Sequence, residues 1–131
     1  MRTIILLVLT TIFTIPSAGQ FWKRKVNQLD EKGNKHGYWI EYLDPEHSAI
    51  SGKGWFEHGR EARRWIHYHF NGKRRLKYKY LKEDIKVKYY YPNGRLEQKG
   101  HARIEYSEKD VHYYWHGEWR FYDEQRRLQK R

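Results

Sequence analysis

The chain predicts an all-β fold: an antiparallel meander of repeated β-hairpins forming a single sheet, open or curled. Three observations carry that expectation. Apolar and charged residues alternate with period two. Glycine-containing turn signals punctuate the alternation. A Trp-centred phrase recurs at near-regular spacing.

The alternation is clearest in Leu76-Lys77-Tyr78-Lys79-Tyr80 and Ile85-Lys86-Val87-Lys88-Tyr89. Side chains of a strand point alternately to its two faces, so this pattern marks a half-buried strand with one wet face. Leu96, Gln98, Gly100, Ala102, Ile104 and Tyr106 continue it less strictly. No window shows an apolar i, i+3, i+4, i+7 stripe, and β-branched and aromatic residues dominate, so helix competes poorly. Strands are expected near 38–43, 52–57, 63–70, 74–80, 85–91, 95–106 and 111–122. Asn71-Gly72, Pro92-Asn93-Gly94 and His58-Gly59 lie between them and are read as tight hairpin turns. Asn-Gly in that position favours a type I′ turn, which needs positive φ at both central residues. Residues 44–50 read as a turn or short loop, and the polar stretch from Gln125 reads as a fraying tail.

The recurring phrase is glycine, then tryptophan two residues on, then tyrosine three further. Gly37-Tyr38-Trp39-Ile40-Glu41-Tyr42 is the first copy, and Gly117-Glu118-Trp119-Arg120-Phe121-Tyr122 the last. In between, Arg63-Arg64-Trp65-Ile66-His67-Tyr68 carries arginine in place of glycine, and Val87-Lys88-Tyr89-Tyr90-Tyr91 lacks the tryptophan.

Together with Asn-Gly-x-Leu, these strings resemble the MORN repeat, most nearly the degenerate copies found in short exported bacterial proteins. The resemblance covers residues 33–128. It implies a row of antiparallel hairpins and interaction work with proteins or, in some members, acidic phospholipids. Some bacterial variants are labelled antitoxins. Three departures bear on it. Arg63 replaces the first glycine of its copy, Val87 replaces a tryptophan, and Arg126 stands where an Asn-Gly turn would precede Leu128. They predict weakened turns, and an incomplete last hairpin of the kind a terminal cap shows.

Before the repeat, Met1-Arg2, the apolar run Thr3 to Ile15 and Pro16-Ser17-Ala18-Gly19 follow the layout of a secretory signal peptide. Thirteen helical residues span only roughly 20 Å, short of a bilayer core. The organisation expected is a signal helix over 1–19 cleaved after Gly19, a lead-in over 20–32, the repeat domain over 33–128 and a tail over 129–131. The protein is then exported, either periplasmic or secreted. It contains no cysteine. A small exported domain without disulfides must be held by sheet packing and by its aromatic content of 18%.

A formal charge of +11 favours anionic partners. From Arg60 to Lys88 there are eleven lysines or arginines, far outnumbering the acids. Lys77, Lys79, Lys86 and Lys88 should line one face of neighbouring strands, with Arg74 and Arg75 beside them, and Tyr90 should share their face. These seven residues are the candidate binding set. The remaining rings, Tyr78, Tyr80, Tyr89 and Tyr91, should face the core. Neither a catalytic motif nor a Gly-rich phosphate loop is present, so no enzyme and no cofactor are expected. His67 with His69, and His112 with His116, should share faces. Nothing converges into a three- or four-ligand set, so no metal site is expected. The function expected is a non-enzymatic binding or scaffold module of the bacterial envelope. Its partner would be a protein or an acidic lipid or glycan surface, touched without insertion, and no genomic target is expected. The alternative is a cytoplasmic antitoxin-like or nucleic-acid-binding regulator.

Overall fold

The structure, a computed structural model, describes residues 25–130. The expected signal peptide, and the expected cut after Gly19, lie outside the described residues. Those described form one nine-stranded antiparallel sheet in chain order, without a helix. The strands are β1 (Gln28–Leu29), β2 (Lys35–Tyr42), β3 (Ile50–Glu57), β4 (Arg60–Tyr68), β5 (Arg74–Tyr80), β6 (Ile85–Tyr90), β7 (Leu96–Tyr106), β8 (Val111–Tyr122) and β9 (Leu128–Lys130). The seven expected strands are β2 to β8. Two short ones flank them: β1 within the lead-in and β9 within the stretch expected to fray.

The turns that contain glycine divide into two kinds. His58-Gly59 is the expected two-residue turn, with φ of 49° and 83° and Glu57 facing Arg60. The two Asn-Gly sites differ from expectation. At Asn71-Gly72 only the glycine has positive φ, 78°. The loop there has three residues: Gly72 N–H donates to the His69 carbonyl at 2.9 Å, and His69 N–H to the Lys73 carbonyl at 2.8 Å. Asn71 Oδ1 accepts the Lys73 N–H at 3.0 Å, an Asx turn that serves in place of a second left-handed residue. Pro92–Gly94 repeats this geometry. A left-handed third residue leads into a bulge, which suits the register shifts after His67 and Tyr89.

The last hairpin is complete, contrary to expectation. Arg126 itself adopts φ 69°, and Asp123 N–H donates to the Arg127 carbonyl at 3.0 Å. Asp123 Oδ1 accepts the Gln125 and Arg127 amides at 3.0 and 2.8 Å, so a carboxylate braces the loop that lacks glycine.

The Trp-centred phrase turns on a left-handed residue, with a register shift at the Trp65 and Trp119 copies. Gly37, Arg63 and Gly117 have φ of 81°, 57° and 67°, so arginine takes the conformation its counterparts take as glycine. The tryptophan two residues on then lies back over the preceding strand. Trp39, Trp65 and Trp119 donate Nε1–H to the carbonyls of Gln28 (3.1 Å), Trp55 (2.6 Å) and His101 (3.0 Å). Where Val87 replaces the tryptophan, the β5–β6 ladder runs without a register shift.

One face of the sheet carries the core. Leu76, Ile85, Val87, Ala102 and Trp119 are buried together, with Tyr78, Tyr80, Tyr89, Ile104 and Phe121 packed against them. Phe56 and the fully buried Trp65 extend it edge-to-face at 4.9 Å. The sheet curls over this face: the Tyr78 ring on β5 meets Tyr113 on β8 at 6.4 Å, and the Arg60 guanidinium on β4 lies 3.9 Å over Tyr106 on β7. It does not close, since β1 and β9 end the strand order.

Candidate anion-binding face

The face opposite the core gathers cations into rows. Lys77 faces Lys88, Lys88 faces Lys99, and Lys99 faces Arg120. This row crosses four strands without interruption. A second row runs beside it: Arg64 faces Lys79, Lys79 faces Lys86, Lys86 faces His101, and His101 faces His116. Neighbouring strands lie ~4.8 Å apart, so Lys77, Lys88, Lys99 and Arg120 in the first row, and Arg64, Lys79 and Lys86 in the second, stand like charge opposite like charge, which is unfavourable. The Lys77 ammonium accordingly sits below the ordinary lysine value, first through burial and then through Lys88, Arg74, Arg64 and Lys79. Lys86, Lys88, Lys99, His101 and Arg120, with the backbone of Gly100, line a shallow depression.

Three acids at this face are engaged, Glu105 among them as acceptor from the Tyr114 hydroxyl at 2.7 Å. Glu118 pairs with Arg120 at 2.9 Å. Asp84, on the β5–β6 turn, reaches His101 Nδ1 at 2.5 Å and His116 Nε2 at 2.8 Å. Burial raises the Asp84 pKa, but the bonds with the two histidines outweigh it, and the carboxyl lies below the usual range.

Of the seven candidate residues, the four lysines come together as alternation implies. Arg74 lies near enough to Lys77 to depress its pKa, and its guanidinium sits 5.2 Å over the Tyr90 ring. Arg75 goes elsewhere: it is passed over by the register shift between His67 and Tyr68, and lines a separate hollow with His67, Tyr68 and Phe70. Sequence reasoning missed Lys99, Arg120 and Arg64. Lys99 was implicit in the alternation of β7. Its place opposite Lys88 depends on Glu97 bulging out, since Tyr89 pairs with Gln98 and Tyr90 with Leu96.

His112 and His116 share a face of β8 and His67 and His69 line one hollow, as alternation implies, but the members of each pair take different partners. His67 is half-buried against Trp65 at 5.7 Å, and burial holds its pKa down. His69 reaches the Tyr90 carbonyl at 2.8 Å. His112 packs on Tyr114 at 5.2 Å, while His116 meets His101 and Asp84. Among the described residues no group of three or more His, Asp or Glu side chains is arranged to hold a metal ion. No protein-family model, curated protein or solved structure matches this chain.

Proposed function

We propose that the protein is an exported, non-enzymatic binding module that docks on an acidic lipid surface through the basic face of its sheet. The observation that carries this is the uninterrupted Lys77–Lys88–Lys99–Arg120 row. Side chains set opposite one another at sheet spacing repel, and a nearby layer of anions relieves that repulsion while releasing counterions. The depressed pKa of Lys77 has the same cause in part. The resemblance to MORN repeats and the signal-peptide layout support the same reading, that of a module working in a bacterial envelope.

Co-sedimentation of the protein with phosphatidylglycerol and phosphatidylcholine vesicles over a salt series tests it. Binding to the anionic vesicles alone, weakening as salt rises, is the expected result. Lys77→Glu with Lys79→Glu should weaken it further while the far-UV spectrum stays unchanged, whereas Lys32→Glu in the β1–β2 turn should not. Equal binding by both variants overturns the assignment of the face. Export is tested by cell fractionation and N-terminal sequencing: an envelope protein that begins at Gln20 supports it, and a cytosolic protein with Met1 intact excludes it.

A further inference from the structure

The two long edges of the sheet are treated differently. On the β2 side, β1 pairs with Lys35 and His36, and Val26 bridges to Tyr38. Beyond that point the side chain of Asn27 takes over: its Oδ1 accepts the Ile40 N–H at 2.7 Å and its Nδ2 donates to the Ile40 carbonyl at 3.0 Å. A side-chain amide thus stands in for a neighbouring strand, and the edge is covered from residue 35 to residue 40.

On the other side, β9 pairs with β8 only at Phe121 and Tyr122. The rest of β8 pairs with β7 on one side, and among the described residues no strand lies on the other. In an antiparallel strand, alternate residues direct N–H and C=O away from the partner, so Val111–His116 presents a template about 20 Å long. Edges of this kind are normally blunted with lysine, proline or an inward charge. Between Val111 and Trp119 there is no lysine, arginine or proline, in a chain with 27 lysines and arginines. The core-side residues of the segment are apolar and open: Val111 is 58% exposed, Tyr113 38% and Trp115 44%.

We infer that the β8 edge at Val111–His116 receives an extended segment of a partner protein as a tenth strand, with apolar residues alternating with acidic ones. The alternation follows from the two faces it would join. Residues on the core side would extend the line of Val111, Tyr113 and Trp115. Residues on the other side would continue the face that carries Arg103, His112 and His116. The acids there are already engaged, Glu105 by the Tyr114 hydroxyl at 2.7 Å and Glu118 by Arg120 at 2.9 Å, so the +11 charge of the chain favours acids on an incoming strand. Charge also selects against a second copy of this chain, because two molecules of formal charge +11 would meet edge to edge. Main-chain bonds supply the affinity and the alternating side chains the selectivity. This inference does not rest on the lipid-binding reading.

The probe is a nine-residue peptide alternating valine and glutamate, in three forms: unmodified, N-methylated at the odd amides, and N-methylated at the even ones. Methylation removes donors along one side of the peptide and leaves its charge unchanged. Binding of the unmodified form, with slowed hydrogen exchange at alternate amides of Val111–His116, is expected. One methylated form should bind at least about tenfold more weakly and the other nearly as well as the parent. Equal affinity of all three, without protection on β8, would assign the binding to the basic rows and overturn the inference. Sedimentation of the protein alone supplies the second check. A monomer supports a foreign strand, and a dimer protecting the same β8 amides would make the occupant a second copy and overturn it.

Discussion

The indole of Trp65 lies directly on Gly54: a β-carbon there would come within 2.4 Å of the ring, and the Nε1–H is tied to the adjacent Trp55 carbonyl at 2.6 Å. Trp119 covers Gly100 in the same way, at 2.3 Å. Glycine within a strand normally costs about 0.5–1 kcal/mol relative to alanine. Here the sign should reverse. Gly54→Ala and Gly100→Ala should each lower the unfolding free energy by about 1–3 kcal/mol or more, because the ring must leave its site and, at Gly54, the Arg64 carbonyl at 2.5 Å must shift as well. Urea denaturation reads this, and an unchanged or raised midpoint would show that the indoles can move aside. Trp65→Ala should lose roughly 3–5 kcal/mol from the same site.

Arg126 and Arg63 are the two arginines in the left-handed region, with φ of 69° and 57°. Each costs roughly 1–2 kcal/mol relative to glycine. Arg126→Gly should therefore stabilise, by up to about 1 kcal/mol once the freer unfolded chain is counted. Arg63→Gly should gain little. Its guanidinium sits 4.6 Å over the Trp55 ring and pairs with Glu57 at 3.2 Å, and these contacts offset the backbone relief. Thermal denaturation of the two variants side by side separates the backbone effect from the side-chain effect.

These two arginines also mark where the sequence became hard to read. Alternation located β2 to β8, because a strand with one buried face writes its period directly into residue type. The signal was weaker where backbone conformation and residue type disagree. Arginine in a left-handed turn looks like a lost turn, yet Asp123 braces the loop around Arg126. Asn71-Gly72 looks like a two-residue turn, but one further residue enters the loop. The same limit applies to the basic face. Lys77 opposite Lys88 follows from a regular hairpin, whereas Lys99 and Arg120 join the row only because β7 and β8 bulge near Glu97 and Gly117. Bulges shift register without a reliable residue signature, so cross-strand partners beyond one are not legible.

Lys88 has a like charge on each side, Lys77 and Lys99. Lys88→Gln should raise stability at low ionic strength by about 0.2–1 kcal/mol. The gain should vanish near 1 M salt, where the screening length falls to about 3 Å. Denaturant titrations in the two buffers check this. A gain that persists in high salt would mean that side-chain packing, and not repulsion, sets the difference.

Tyr80 gives the fold an alkaline limit. Burial raises its phenol pKa first, and the hydrogen bond to Glu61 at 2.6 Å raises it further. Tyr78 is raised in the same direction, by burial and then by Tyr113 and Tyr89. A raised folded-state pKa means that the contribution to stability is complete below the unfolded value, about 10, and is lost as pH climbs beyond it. Lys77, shifted downward, works with the opposite sign, but only up to the ordinary lysine value of about 10.4. Stability should therefore hold to about pH 10 and fall above it, each half-buried phenol contributing a slope of at most about 1.4 kcal/mol per pH unit. Tyr80→Phe should lower stability at neutral pH, because Glu61 loses its donor, and should flatten the alkaline fall by the slope of one phenol. Urea midpoints from about pH 7 to about pH 12 would show both effects. A parallel displacement of the whole curve would mean that Tyr80 does not titrate differently in the folded and unfolded states.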